Sequence, residues 1–301
     1  MRVAIALGGN ALLRRGEDPS AEAQRRNIVR AARAVAEVAR EHDVLVTHGN
    51  GPQVGLLALQ GEAYGEGGGL PLDVLGAETE GMIGYLVSQE LGNQLPERPI
   101  ATLLTQVEVD PADPAFRAPT KPIGPVWKEE EARRLSERRG WRVAPDGKRW
   151  RRVVPSPTPL RILEVATLRL LVEHEVLVVC AGGGGIPVVF DALGRVHGVE
   201  AVIDKDRTAG LLARAIGADV LLLLTDVSHV EIGWGGPDPR PLGRVTTGEL
   251  RRLRFAEGSM GPKIEACVEF VEETGGFAAI GALEEAGRIL RGETGTRVVR
   301  G

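Results

Sequence analysis

The 301-residue chain is 43% apolar and 26% charged, with a net charge of −4, the composition of one or two soluble globular domains. Its mild acidity gives no bulk electrostatic reason to expect nucleic-acid binding, and no stretch approaches the roughly 18 uncharged apolar residues of a membrane span. The N-terminal run Val3–Leu7 lacks a signal peptide's basic start, and Cys180 and Cys267 stand far apart without metal-ligand spacing; a cytoplasmic protein with buried thiols and no zinc is expected.

Strand-like and helix-like segments alternate, which predicts an α/β fold with a largely parallel sheet. Val3 to Leu7 reads as a strand. Ser20 is placed to cap a helix in which Ile28, Ala31, Ala32, Val35 and Val38 share a face. DVLVTHG (43–49) reads as a second strand, and Pro52 suits the first turn of the next helix. LGAETEGMIGYLVSQELG (75–92) reads as a further helix and IATLLTQVEV (100–109) as a third strand.

From Pro111 to Pro159 prolines and charges break the pattern, as expected of an insertion standing off the sheet. Within it, Arg138–Val154 interleaves arginines with Trp141 and Trp150. Such a mixture can stack on single-stranded nucleic acid, but the turn signal APDG (144–147) favours a projecting hairpin or lid. Alternation resumes with a helix over Ile162–Glu173, a strand EVLVVC (175–180), a hairpin within Val188–Ile203 and a helix over Lys205–Ile216. The run DVLLLLTDV (219–227) has the continuous apolar character of a buried parallel strand. A helix over Pro262–Thr274 and a strand at FAAIGAL (277–283) follow.

Three glycine clusters follow apolar strands: Gly8 to Asn10, His48 to Gly51 (with Gly49, Asn50 and Gly51) and Gly182 to Gly185. Strand carboxyl ends are where open α/β folds bind ligands. Glycine lets amides converge on an anion, and a following helix N-terminus adds a favourable field. Phosphate or carboxylate binding is the expectation, although the P-loop pattern is absent. The chain has five lysines, at 121, 128, 148, 205 and 263. Lys205 lies between Asp204 and Asp206 where a helix begins, and Lys263 follows Pro262 in a helix's first turn. Cations there oppose the helix dipole, a penalty that phosphate oxygens would reverse. Lys121 sits in the proline-restricted PTKPIGP, whereas Lys128 and Lys148 read as surface residues. Thr225 and Asp226 close a buried strand, where the aspartate can be a simple cap or can orient a lysine or contact a nucleotide.

These motifs resemble the carbamate kinases within the amino-acid kinase family. The resemblance spans ALGGNALL, HGNGPQVG, TQVEVDPADPAF, PTKPIGP, GWRVAPDGKRWRRVVPSP, GGGGIPVV, GVEAVIDKD, LTDV and GSMGPKIEA. It implies a three-layer αβα sandwich around a mainly parallel open sheet with a small protruding subdomain, assembled as a cytoplasmic homodimer of arginine metabolism. Residues 1–175, with the subdomain at 111–159, would bind carbamate and the phosphoryl group. Residues 176–301 would bind the nucleotide on the same continuous sheet. It implies reversible phosphoryl transfer between ATP and carbamate, giving ADP and carbamoyl phosphate, with Mg²⁺ accompanying the nucleotide. By resemblance, Gly8, Gly9, Asn10, Gly49, Asn50 and Gly51 would hold the carbamate end, and Lys121, Lys205 and Lys263 would supply charge organised by Asp206. Gly182, Gly183, Gly184, Gly185, Thr225, Asp226 and Met260 would meet the nucleotide. The competing expectations are another family member phosphorylating a carboxylate such as N-acetylglutamate, and a non-catalytic metabolite-binding module.

Overall fold

The computed structural model describes residues 1–12, 17, 20–63, 69–234, 236, 238–255 and 260–301, leaving aside the side chains of residues 10, 11 and 62. The chain opens with β1 (Arg2–Leu7), the short α1 (Gly9–Leu12), α2 (Ala21–Ala39), β2 (Asp43–His48), α3 (Gly51–Ala63) and α4 (Leu72–Gln94). Ser20 caps α2, its side chain accepting from the Ala23 amide at 3.2 Å. There follow β3 (Ile100–Leu103), β4 (Gln106–Val109), β5 (Lys121–Trp127), α5 (Glu129–Arg139), β6 (Val143–Asp146), β7 (Arg149–Val154), β8 (Pro159–Ile162) and α6 (Val165–Glu173). The remainder is β9 (Leu177–Cys180), β10 (Ile186–Phe190), β11 (Val196–Gly198), α7 (Lys205–Ala215), β12 (Val220–Thr225), β13 (Val230–Ile232), β14 (Arg240–Leu242), β15 (Arg244–Thr246), α8 (Thr247–Arg251), α9 (Met260–Thr274), β16 (Phe277–Ala282), α10 (Ala286–Arg291) and β17 (Thr296–Val299).

The main sheet has the order β15-β17-β16-β12-β1-β2-β9-β3, with β16–β17 its antiparallel pair. Strict alternation along its buried strands builds two cores. Val3, Ile5 and Leu7 face one side, with Ile28 and Val35 of α2 and Ile83 and Val87 of α4. Ala4 and Ala6 face the other, with Leu212 of α7 and Cys267 and Phe270 of α9. This is a three-layer sandwich, and both cysteines are buried in it. Among the described residues, no helix is long and apolar enough to cross a membrane.

Two boundaries differ from the sequence expectation. The run 100–109 is two strands: β3 ends the main sheet, while β4 joins the smaller sheet β11-β10-β4-β8. Thr105 makes the break, its hydroxyl bonding back to Leu103 O while its amide donates to Glu80. Ile162 belongs to β8, paired with Val107, so the following helix begins only at Val165. The strand β9, from the second half of the chain, lies between β2 and β3 from the first, so one continuous sheet takes strands from both sides of residue 175.

The insertion forms its own three-stranded sheet, β5-β7-β6, with α5 beside it. Three of its arginines stack on its tryptophans: Arg133 over Trp150, and Arg139 and Arg152 over Trp141, at 4.5–5.1 Å. The basic–aromatic pattern therefore has a packing role inside the subdomain. A third apolar cluster roots this unit on the body, joining Val54 and Ala58 of α3, Leu75 of α4, Ile123 of β5, Val154 of β7 and Val202.

Candidate active site

Strands β1, β2, β9 and β12 run parallel, so their carboxyl ends meet on one edge of the sheet. The loops after β1 and β2 touch there. A Cβ on Gly49 would stand 2.9 Å from Gly9 N and Cα and 3.5 Å from Lys205 Cδ. Only glycine permits this approach, and the Lys205 stem packs against the β2 loop at the same point.

Helix α7 begins at this junction because Asp204 caps it, accepting from the amides of Asp206 at 2.9 Å and Arg207 at 3.4 Å. The cap aims Asp206 inward, where Oδ1 lies 2.5 Å from Lys205 Nζ and Oδ2 lies 2.8 Å from Lys263 Nζ. Lys263 arrives from the first turn of α9, which starts at Met260. Lys121, the first residue of β5, reaches from the subdomain to pair with Asp204. The three sequence-predicted lysines thus converge on two aspartates, while Lys128 and Lys148 are exposed.

Burial pushes the Asp206 carboxyl up, but Lys205 and Lys263 outweigh it and hold the group well below the usual carboxylate range. Burial also lowers Lys205, with Lys263 adding repulsion. For Lys263 burial again opposes the charge, and Asp206, Asp204 and Asp226 more than offset it. The arrangement is an ionised carboxylate holding two ammonium groups side by side, each with further N–H donors for an anion.

A cavity of about 410 Å³ opens beside this cluster, lined among others by Gly8, Gly9, Thr225, Asp226, Met260 and Lys263. Thr225 Oγ donates to Asp226 Oδ1 at 3.1 Å. Gly182–Gly185 does not line that cavity, contrary to its expected grouping with Thr225, Asp226 and Met260. It follows β9, which is separated from β12 by β2 and β1. The four glycines are buried, Gly182 and Gly183 against His48 and Asn50, where a Cβ on Gly183 would fall 2.1 Å from Asn50 Nδ2, and Gly184 and Gly185 against Ile203 and Val107. Asn50 itself is fixed by donating to Thr79 Oγ at 2.8 Å.

Several of the predicted glycine amides are engaged within the fold rather than open to an anion. Gly8 N donates to Leu224 O and Gly49 N to Leu7 O; Gly184 N and Gly185 N bond back to Ala181 O and Gly182 O. These four amides extend the sheet and close the turns, so at Gly8, Gly49, Gly184 and Gly185 the glycine supplies room rather than a donor. Gly9 and Gly51 begin helical segments beside the junction, and the backbone of Asn10 follows in the first of them. The side chain of Asn10 lies outside the described residues, as do Leu13, Gly258 and Ser259 of the quoted motifs.

Sequence reasoning missed His48 and Glu80. Glu80 accepts from Gly182 N at 2.9 Å and Thr105 N at 3.2 Å, tying α4 to the ends of β9 and β3. Burial raises its carboxyl to about 8 despite these bonds. His48 packs against Gly182, and burial lowers it to about 4, with the Gly49 carbonyl 3.2 Å from Nδ1 acting the other way. Its Nε2 is buried without a hydrogen-bond partner. The available signal for Glu80 was its position three and seven residues before Ile83 and Val87, which places a carboxylate on the helix's buried face.

With this geometry in place, comparison with known proteins is informative. The family model of the amino acid kinase family matches residues 1–280, and the chain belongs to that family. Within it, the chain is 52% identical over 301 residues to the carbamate kinase of Haemophilus influenzae, covering 100% of this chain and 97% of that protein. It is 55% identical over 300 residues to the carbamate kinase of Rhizobium meliloti, covering 98% and 92%. The structure of carbamate kinase from Giardia lamblia bound to AMP-PNP matches with a TM-score of 0.91 at 40% identity, covering 100% of this chain and 98% of that one.

Proposed function

We propose that the chain is a carbamate kinase, an ATP-dependent phosphotransferase that interconverts ATP plus carbamate with ADP plus carbamoyl phosphate. The observation that carries this reading is the convergence of Lys121, Lys205 and Lys263 on Asp204 and Asp206 where β1, β2 and α7 meet. Full-length similarity to carbamate kinases supports the choice of acceptor.

Phosphoryl transfer between two anions needs charge compensation and alignment more than proton removal. A carbamate oxygen forms the new bond to phosphorus as the bond to the ADP oxygen breaks. Carbamate is already ionised, so no general base is required, and His48 beside the junction is buried, with burial lowering it to about 4. Lys205 and Lys263 would offset charge on the transferring group, held at fixed spacing by Asp206. The cavity beside Thr225, Asp226 and Met260 would take the nucleotide.

Mg²⁺ fits this site as an ion carried by the nucleotide phosphates. Among the described residues no group of three His, Cys, Asp or Glu side chains stands together as a cage, the usual situation for a phosphate-borne magnesium. Asp226 and Glu231 on the cavity wall are the carboxylate donors available to it. Bound there, the ion would neutralise phosphate charge. The homodimer and cytoplasmic location belong to the same proposal, and sedimentation of the purified chain tests the dimer.

An acceptor panel tests the substrate assignment. With ATP and Mg²⁺, ADP release is expected with carbamate and not with N-acetylglutamate or aspartate. The reverse preference refutes it.

A further inference from the structure

We propose that Asp204 is a positioning residue for this reaction, transmitting the placement of the subdomain through Lys121 to the turn that carries Lys205. This rests on the proposed phosphoryl transfer, and its test has a readout independent of that reaction.

Asp204 has two separate jobs on its two oxygens. Oδ1 caps α7 through the amides of Asp206 and Arg207, which fixes where Lys205 and Asp206 begin. Oδ2 takes the ammonium of Lys121 across 83 residues of chain. Lys121 is the first residue of β5, paired in register with Val154 at the end of β7. The same root makes a second link to the approach of α7, where Val202 N donates to Pro155 O at 2.9 Å. Val202, Ile123 and Val154 share one apolar cluster. The subdomain root and the start of α7 are therefore one packed unit, and Lys121–Asp204 is its charged connection.

The pair is partly withdrawn from water, with side-chain exposures of 30% for Lys121 and 14% for Asp204. Two aspartates two residues apart repel, and each is matched to its own cation: Asp204 to Lys121, Asp206 to Lys205 and Lys263. Removing the charge of Asp204 leaves Lys121 with no fixed direction and lets β5 shift relative to the lysines on the body. A catalytic group displaced by about 1 Å can cost about a hundredfold in rate.

The charge and the cap are separable. Asparagine caps a helix about as well as aspartate, so Asp204→Asn keeps α7 and loses only the ion pair. In this variant kcat for ATP formation from ADP and carbamoyl phosphate is expected to fall about 10- to 100-fold, with KM for ADP unchanged. Lys121→Gln is expected to fall too, and adding Asp204→Asn to it should lower kcat by less than about threefold further. Hydrogen exchange supplies the independent readout: residues 121–127 should exchange faster in Asp204→Asn and in Lys121→Gln, and no faster in the double variant. Wild-type kcat and exchange in Asp204→Asn would overturn the proposal. So would additive effects in the double variant. If the wild-type chain makes no ATP, the proposed reaction fails while the exchange comparison still decides the Lys121–Asp204 link.

Discussion

Replacing Lys205 by Met tests the charge argument where it is most exposed to error. Lys205, Lys263 and Asp206 together carry one net positive charge, with side-chain exposures of 12%, 13% and 6%. Removing Lys205 leaves no net charge on this group. At an effective dielectric constant near 20, one charge about 4 Å from a transferring phosphoryl group is worth roughly 4 kcal/mol, or about a thousandfold in rate. The cost to stability is smaller than the roughly 3–5 kcal/mol of a buried carboxylate left alone, because Lys263 stays at 2.8 Å from Asp206. The expected outcome is a folded variant with a cooperative melt and kcat reduced about a thousandfold. Initial rates of ATP formation, with circular dichroism as the folding control, provide the assay. A folded variant within about threefold of wild-type turnover would refute the electrostatic account.

Three further outcomes follow from the buried groups and the subdomain. His48, lowered from 6.5 to about 4, binds fewer protons in the native state, so its contribution to stability rises with pH across that window. Glu80, raised from 4.5 to about 8, does the opposite, and above pH 6.5 the His48 effect fades while that of Glu80 persists towards its folded value. Denaturant titrations from pH 6.5 to 8 should show wild-type stability falling by up to about 1.4 kcal/mol per pH unit. Glu80→Gln should lose that slope, at a fixed cost of about 1 kcal/mol for one amide left without its acceptor; equal slopes in both proteins would be the contrary result. Gly55→Ala would set a Cβ 1.8 Å from Gly124 Cα, where α3 carries β5, and should destabilise subdomain docking by about 1–3 kcal/mol. Faster proteolysis within 111–159 and a raised KM for carbamoyl phosphate would register it. Burial pushes the Cys180 and Cys267 thiols up, so neither should react with a thiol reagent until the protein is unfolded.

The layers of the fold were legible because apolar runs and helical spacing report directly on burial: Val3–Leu7 and Val220–Thr225 read as core strands and are core strands. The lysines were legible because they are scarce and stand beside glycine, proline and aspartate. What could not be read was adjacency between strands. Nothing local to Gly182–Gly185 says that β2 and β1 intervene between it and Thr225. The same limit hid the roles of Asp204 and Glu80. Asp204 stands where a helix begins, and its Lys121 partner lies 83 residues away. Glu80 reads as one more helical glutamate, and its partners come from two different strand ends. The arginine–tryptophan run pointed two ways for a similar reason, since stacking on a base and stacking within a hairpin draw on the same side chains.

The central claim, a lysine-held site for transfer between carbamate and ATP, is tested most directly by one coupled assay. Purified chain, ADP, Mg²⁺ and carbamoyl phosphate are combined, and ATP is followed with a luciferase or hexokinase couple. The account predicts ATP formation that depends on enzyme, ADP and carbamoyl phosphate together and falls about a thousandfold in Lys205→Met. No ATP from a folded wild-type protein, or ATP formed equally well by that variant, would contradict it.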